Sequence, residues 1–224
     1  MDSTRLTEVL NRIDAAAAAS GRTGDAITLV AVSKGRPDSA VLEVYRQGHR
    51  TFGENRQQGL ASRIKAGLPD DISWHFIGPL QGRKARFVSE HVALLHSFDR
   101  LDLIRRWDHS DTPVLLQFNM ANEPQKGGFA PTEAERALNE VMAAGITVRG
   151  VMAIPPAVDD PNDARRWFAG LRSIYDRLRF VSPEIDTLSM GMSHDFEVAI
   201  QEGATTVRVG TAIFGPIQIS ERNG

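Results

Sequence analysis

Apolar and polar positions along this chain follow two alternating periods. Residues 3–19 carry Leu6, Val9, Leu10 and Ile13 at helical spacing before an alanine run, and Ser20-Gly21 with Gly24 end the pattern. From residue 27 onward, short β-type runs take turns with helix-type stretches. The spacing predicts strands at 27–33, 50–54, 73–78, 92–98, 113–119, 146–153, 186–190 and 205–210. Between them it predicts helices at 38–47, 56–66, 81–90, 100–108, 132–144, 162–179 and 194–202. Strands that are apolar on both faces and separated by single helices require parallel pairing through right-handed crossovers. Eight such units in 224 residues predict an α/β fold, a single-domain (β/α)8 TIM barrel over residues 1–224 with an extra N-terminal helix. An open doubly wound sheet would want a glycine-rich phosphate turn after its first strand. Here that strand runs into Ser33-Lys34-Gly35-Arg36-Pro37. No linker divides the chain, and Pro155-Pro156 with Val158-Asp159-Asp160-Pro161 mark one long loop after strand six.

Composition narrows the function classes. A formal charge of −2 argues against a dedicated nucleic-acid binder, which would carry a basic excess. The absence of Cys removes disulfides, thiolate nucleophiles and Cys-ligated metals. No His pair at i,i+4 comes with a carboxylate, so no metal site is expected. No apolar run approaches the roughly 20 residues that span a bilayer. The N-terminus, with Asp2, Arg5 and Glu8, lacks the order of a signal peptide, so the expected location is the cytoplasm. Only four lysines, Lys34, Lys65, Lys84 and Lys126, stand beside 22 arginines, and each merits its own reading.

In a parallel barrel the chemistry collects at the C-terminal strand ends. Those ends carry Lys34, Glu54-Asn55, His75 ahead of Gly78-Pro79, Asn119 with the loop to Lys126-Gly127-Gly128, Ser189 to Ser193, and Arg208 to Thr211. Lys34 shares a face with Val30 and Val32 by two-residue alternation. If that face is the lumen, the amine is partly desolvated and able to form a Schiff base; otherwise it is a lysine reaching out to solvent. Gly191-Met192-Ser193, with Ser193 as a candidate N-cap, and Gly210-Thr211 stand where barrels of this kind hold a phosphate. Arg208, between Val207 and Val209, points inward and needs a partner: Glu54 in an ion pair, or the ring nitrogen of a cofactor. Amine, phosphate cradle and ring-facing arginine together point to pyridoxal 5′-phosphate (PLP). His75 reads either as a hydrogen-bonded core histidine or as a cofactor neighbour. Lys65 reads as a solvated helix charge, Lys84 as a surface or rim residue, and Trp107 and Trp167 as helix packing. Lys126 is either a mobile surface lysine or a second amine at the rim. The residues alone also leave open a racemase and a Schiff-base aldolase.

Six ordered motifs resemble the pyridoxal phosphate homeostasis protein family from about residue 27 to 216. They are Leu29-Val30-Ala31-Val32-Ser33-Lys34, Phe52-Gly53-Glu54-Asn55, Trp74-His75-Phe76-Ile77-Gly78-Pro79-Leu80-Gln81, Lys126-Gly127-Gly128, Leu188-Ser189-Met190-Gly191-Met192-Ser193 and Val207-Arg208-Val209-Gly210-Thr211-Ala212-Ile213-Phe214-Gly215. The resemblance implies a fold-type III PLP barrel like the N-terminal domain of alanine racemase. It implies PLP on Lys34, phosphate at Ser193 and Gly210-Thr211, and Arg208 by the pyridine nitrogen, with Asn55, His75 and Met192 completing the cofactor site. It further implies intracellular B6-vitamer and amino-acid homeostasis without well-defined turnover, with other B6 vitamers and apo-PLP enzymes as partners of a monomer. The alternative it carries is a PLP-dependent racemase of low activity. Efficient racemisation is not expected, since alanine racemases draw a second base, a Tyr, from a further β-rich domain. Here the sequence runs only to Gly224, and Tyr45 and Tyr175 fall in predicted helices. The sequence departs from the family pattern at Arg56 and Gly59, where Tyr and Glu are usual, at Gly82-Arg83-Lys84, and at Ser97-Phe98-Asp99.

Overall fold

A computed structural model describes residues 4–107 and 111–216. Ser3 and Asp108, the ends of two predicted helices, lie outside the described residues, as does Gly224. Eight strands form: β1 Thr28–Val32, β2 Thr51–Glu54, β3 Ser73–Phe76, β4 Leu94–Phe98, β5 Val114–Phe118, β6 Val148–Ala153, β7 Thr187–Ser189 and β8 Thr206–Val209. They pair in chain order, all parallel, and β8 closes on β1. The helices are α1 Thr4–Ala19, α2 Asp38–Arg46, α3 Gln57–Lys65, α4 Ala85–His91, α5 Ala134–Ala143, α6 Arg165–Val181, α7 Phe196–Gln201 and α8 Thr211–Phe214. This is the expected (β/α)8 barrel with its extra leading helix.

Alternation sorts the strand side chains into two environments. Leu29, Ala31, Phe52 and Val207 join the main apolar core between sheet and helices. Leu94, Leu115 and Met152, packed with Ile154, form a separate apolar cluster inside the barrel. Gly150 is required by close approach, because a Cβ there would meet the Thr187 carbonyl oxygen across the β6–β7 pair. The helix expected at 100–108 is instead a 3₁₀-helix, Leu101–Arg106. Leu101 and Ile104 repeat at three residues, as three residues per turn allow, and Leu103 is the residue it buries fully. Trp107 is buried and donates its indole N–H to the Thr112 carbonyl at 3.1 Å.

Helix α1 lies on α7 and α8 and buries Leu6, Val9, Ile13, Ala16 and Ala17. Two residues of similar size separate its faces, since Ile13 is 2% exposed and Leu10 is 41% exposed. Ile13→Ala is expected to cost about 2–5 kcal/mol, as buried aliphatic truncations do. Leu10→Ala should stay within about 0.5 kcal/mol, as surface substitutions do. Urea denaturation of both variants checks this; equal losses would mean that α1 does not dock by this face.

Candidate functional site

The parallel register brings the strand ends, and most of the expected site, to one mouth. Val30 pairs with Arg208 and Ala31 with Val209, so the turn after β1 lies beside Gly210-Thr211 after β8. Asn55 follows β2, His75 sits on β3, and Met192 and Ser193 follow β7.

Lys34 differs from the reading as a desolvated amine. Its side chain is exposed, because β1 ends at Val32 and Lys34 already belongs to the following turn. Its ammonium makes no hydrogen bond or ion pair to the described residues. The turn itself is held from beneath by Arg63 of α3, 7% exposed. Arg63 donates to the carbonyls of Ser33 at 3.1 Å and Arg36 at 2.6 Å, and pairs with Asp38. Its Nε lies 3.3 Å from Glu54 Oε1, which also accepts from Ser33 Oγ at 2.7 Å. Glu54 is thereby committed to the Lys34 turn, so it is not the partner of Arg208. Gly59, one of the departures noted above, leaves room for this carboxylate, since a Cβ there would come 2.8 Å from Glu54 Oε2.

The loops after β7 and β8 are joined by Ser193. Its Oγ accepts from the N–H of Gly210 at 3.1 Å and of Ala212 at 3.4 Å. With both lone pairs engaged, the hydroxyl hydrogen is left to donate outward. Among the described residues, the backbone N–H groups of Ser193 and Thr211 donate to no protein acceptor. Ser193 is not the N-cap of α7: that position is Asp195. Asp195 instead ties the loop by accepting from the Met192 N–H at 2.6 Å, and burial raises its pKa above the ordinary carboxylate value. Gly191 makes the turn possible at φ 91°, a conformation disfavoured for residues with a Cβ.

Arg208 does point into the barrel and is 3% exposed. It donates to Ser189 Oγ at 2.5 Å and to the Ala153 carbonyl at 3.0 Å. No described carboxylate lies within ion-pair distance of it. Burial pushes it down to about 10, opposed by the attraction of Asp195. Ser189 Oγ also lies 2.9 Å from His96 Nδ1, and His96 Nε2 lies 2.9 Å from His75 Nδ1. His75 is thus the hydrogen-bonded core histidine. Burial pushes it down to about 4, and burial with repulsion from His75 and Arg208 holds His96 well below its usual value. Sequence reasoning missed His96 and the role of Ser189. The available signal was a polar pair, His96-Ser97, inside an otherwise apolar strand.

The remaining candidates separate from this mouth or border it. Lys65 is exposed on α3. Lys84 donates to Gln57 Oε1 at 2.9 Å and lines a cleft of about 440 Å³ with Asn55, Arg56, Phe76 and Leu80, which makes it a rim residue. Lys126 is held in place by Glu123 at 2.5 Å and the Pro155 carbonyl at 3.1 Å. Tyr45 donates to Asp71 from α2, and Tyr175 is buried on α6, both in the outer ring of helices. No group of residues able to hold a metal ion occurs among those described. No described helix is long and apolar enough to cross a membrane.

Residues 7–218 match the alanine racemase N-terminal domain family. The pyridoxal phosphate homeostasis protein of Escherichia coli K12 is 41% identical, the match covering 97% of each chain. That of Aquifex aeolicus is 39% identical over 94% of this chain and 96% of its own. The solved structure of PipY from Synechococcus elongatus with PLP bound is 33% identical. It superposes with a TM-score of 0.77 over 92% of this chain and all of its own.

The two buried histidines generate a pH prediction. An unfolded His75 titrates near 6.5 and the folded one at about 4, so the unfolded chain binds more protons between these values. Stability is therefore fully present above about pH 6.5 and falls as pH falls toward 4, by on the order of 3 kcal/mol from His75. Urea midpoints of wild type and His75→Gln across this range check it. The variant's pH slope should be the shallower, and identical slopes would refute a neutral buried His75.

Proposed function

Because this chain belongs to the alanine racemase N-terminal domain family and, within it, to the pyridoxal phosphate homeostasis proteins, we propose that it binds PLP as a holder of the cofactor in B6-vitamer and amino-acid homeostasis. One juxtaposition carries the reading. Meeting at a single barrel mouth are a primary amine and a buried guanidinium, the first with no bond and the second with no carboxylate partner among the described residues, together with free anion donors on the β7 and β8 loops.

The residues present fit this group. Ser193 and Thr211 offer backbone N–H and hydroxyl donors that no described protein acceptor takes up, as a phosphate requires. Arg208 is a buried cation whose protein partners are all neutral, so a nearby anion lowers the cost of its burial. When bound, PLP supplies an aldehyde that condenses reversibly with a primary amine and a ring that withdraws electrons. Lys34 provides the amine, and the Arg63–Glu54 pair fixes the turn that presents it. Ser193, Gly210 and Thr211, with Met192 beside them, hold the phosphate. Arg208 can only donate, so it disfavours protonation of a ring nitrogen facing it. That weakens electron withdrawal and suits a holder or a racemase better than a transaminase. Asn55 lines the side of the mouth nearest β2, while His75 stays buried within β3 against His96. Neither described tyrosine reaches the mouth to act as a second base, which disfavours the racemase reading. In this reading the chain is one domain, acts as a cytoplasmic monomer, takes other B6 vitamers, and passes PLP to apo-enzymes.

Two experiments test it. Borohydride reduction of the PLP-loaded chain followed by peptide mapping should place pyridoxyl on Lys34, and Lys34→Ala should lose both the adduct and the visible absorbance. An adduct confined to Lys65, Lys84 or Lys126 would refute the assignment. Ser193→Ala removes a donor to a charged acceptor, a contribution of roughly 1.5–3 kcal/mol. It should weaken retention of PLP by about tenfold or more while leaving that of pyridoxal nearly unchanged, because only PLP carries the phosphate. Equal losses would place Ser193 away from the phosphate.

A further inference from the structure

Four buried side chains form one hydrogen-bonded line across the barrel interior, from Arg208 on β8 through Ser189 on β7 and His96 on β4 to His75 on β3. Ser189 and His96 are fully buried, and Arg208 and His75 are 3% and 8% exposed. The donor identities along this line follow from one fact. A guanidinium has no lone pair to offer, so Arg208 must donate to Ser189 Oγ. Among the described residues the Ser189 hydroxyl has one other partner, His96 Nδ1 at 2.9 Å, so its own hydrogen goes there. If His96 Nδ1 carried a hydrogen instead, the serine hydrogen would be buried without an acceptor, a loss of about 1–3 kcal/mol. His96 Nδ1 is therefore the acceptor, and its hydrogen sits on Nε2. That N–H donates to His75 Nδ1 at 2.9 Å, which leaves the His75 hydrogen on Nε2. Both rings are neutral by burial, so neither carries a second hydrogen that would reverse the line.

We infer that Ser189 and His96 are positioning residues that aim the Arg208 guanidinium, and that the line runs one way, Arg208 to Ser189 to His96 to His75. The aiming role rests on the PLP reading above; the polarity does not. Arg208 bonds to the protein through two of its nitrogens, toward Ser189 and the Ala153 carbonyl. Two anchors on different strands set both the plane and the depth of the guanidinium, and Ser189 is itself fixed by His96. Removing the Ser189 hydroxyl would free one arm of Arg208 and leave His96 Nδ1 without its donor.

Two measurements test the inference. Proton–nitrogen correlation spectra of the cofactor-free full chain, with histidine labelled and assigned through His75→Gln and His96→Gln, read the tautomers directly. Both rings should be neutral with hydrogen on Nε2 from about pH 6.5 to about pH 8. Hydrogen on Nδ1 of either ring would overturn the polarity. In the second arm, Ser189→Ala should bind PLP about tenfold more weakly and shift the absorption maximum of the bound form, with Ser189→Thr restoring both. Wild-type affinity and spectrum in Ser189→Ala would overturn the aiming role. So would a misfolded Ser189→Ala accompanied by a folded Ser189→Thr that fails to match wild type. A wild-type chain that takes up no PLP would sink the PLP reading and the aiming role with it, while the tautomer result would still decide the polarity.

Discussion

Arg208 carries a charge into the interior of the barrel, and the surrounding polar architecture follows from how that charge is accommodated. Moving a guanidinium out of water is costly unless its N–H groups find acceptors. The acceptors here are neutral, a serine hydroxyl and a main-chain carbonyl. The serine must in turn place its own hydrogen, which brings in His96, and His96 brings in His75. A polar layer therefore runs across a lumen that also contains an apolar cluster of Leu94, Leu115 and Met152. The nearby carboxylates are engaged elsewhere, Glu54 beneath the Lys34 turn and Asp195 at the Met192 N–H. Among the described residues no carboxylate pairs with the positive charge, which feels only the attraction of Asp195 from beyond ion-pair distance.

The two loop systems at that mouth are built on the same principle, in which one side chain satisfies main-chain groups from two segments. Arg63 takes the carbonyls of Ser33 and Arg36 and so fixes the turn around Lys34 without touching the amine itself. Ser193 takes the N–H groups of Gly210 and Ala212 and so ties the β7 loop to the β8 loop. In each case the organising bonds lie behind the functional groups, which leaves an amine on one side and outward donors on the other. The β1–β8 pairing that closes the barrel is what sets these two systems side by side.

Much of this was legible in the sequence. The alternation of apolar strands with single helices determines the parallel barrel, because each element must bury its own apolar pattern and a short crossover allows few arrangements. The parity of Arg208 between Val207 and Val209 determines that it points inward, because strand side chains alternate. The glycine-and-hydroxyl make-up of the loops after the last two strands could be read from residue type and position alone. Lys34 shows where parity stops being sufficient: the strand ends at Val32, and the turn that follows places the amine in solvent.

What only the tertiary structure decided is which polar groups meet. Ser189 and His96 are 93 residues apart, and no local pattern in either strand announces the other. Glu54 could equally have served Arg208; it serves Ser33 and Arg63 because α3 packs Arg63 beneath the first strand's turn. Ser193 looks like a helix cap from its neighbours, yet it spends its lone pairs on the loop after β8, 17 residues away at Gly210. Periodicity is a property of one segment and survives in the sequence. Hydrogen-bond partnership across a closed barrel depends on the register of strands distant in the chain, and that register exists only once the sheet has closed.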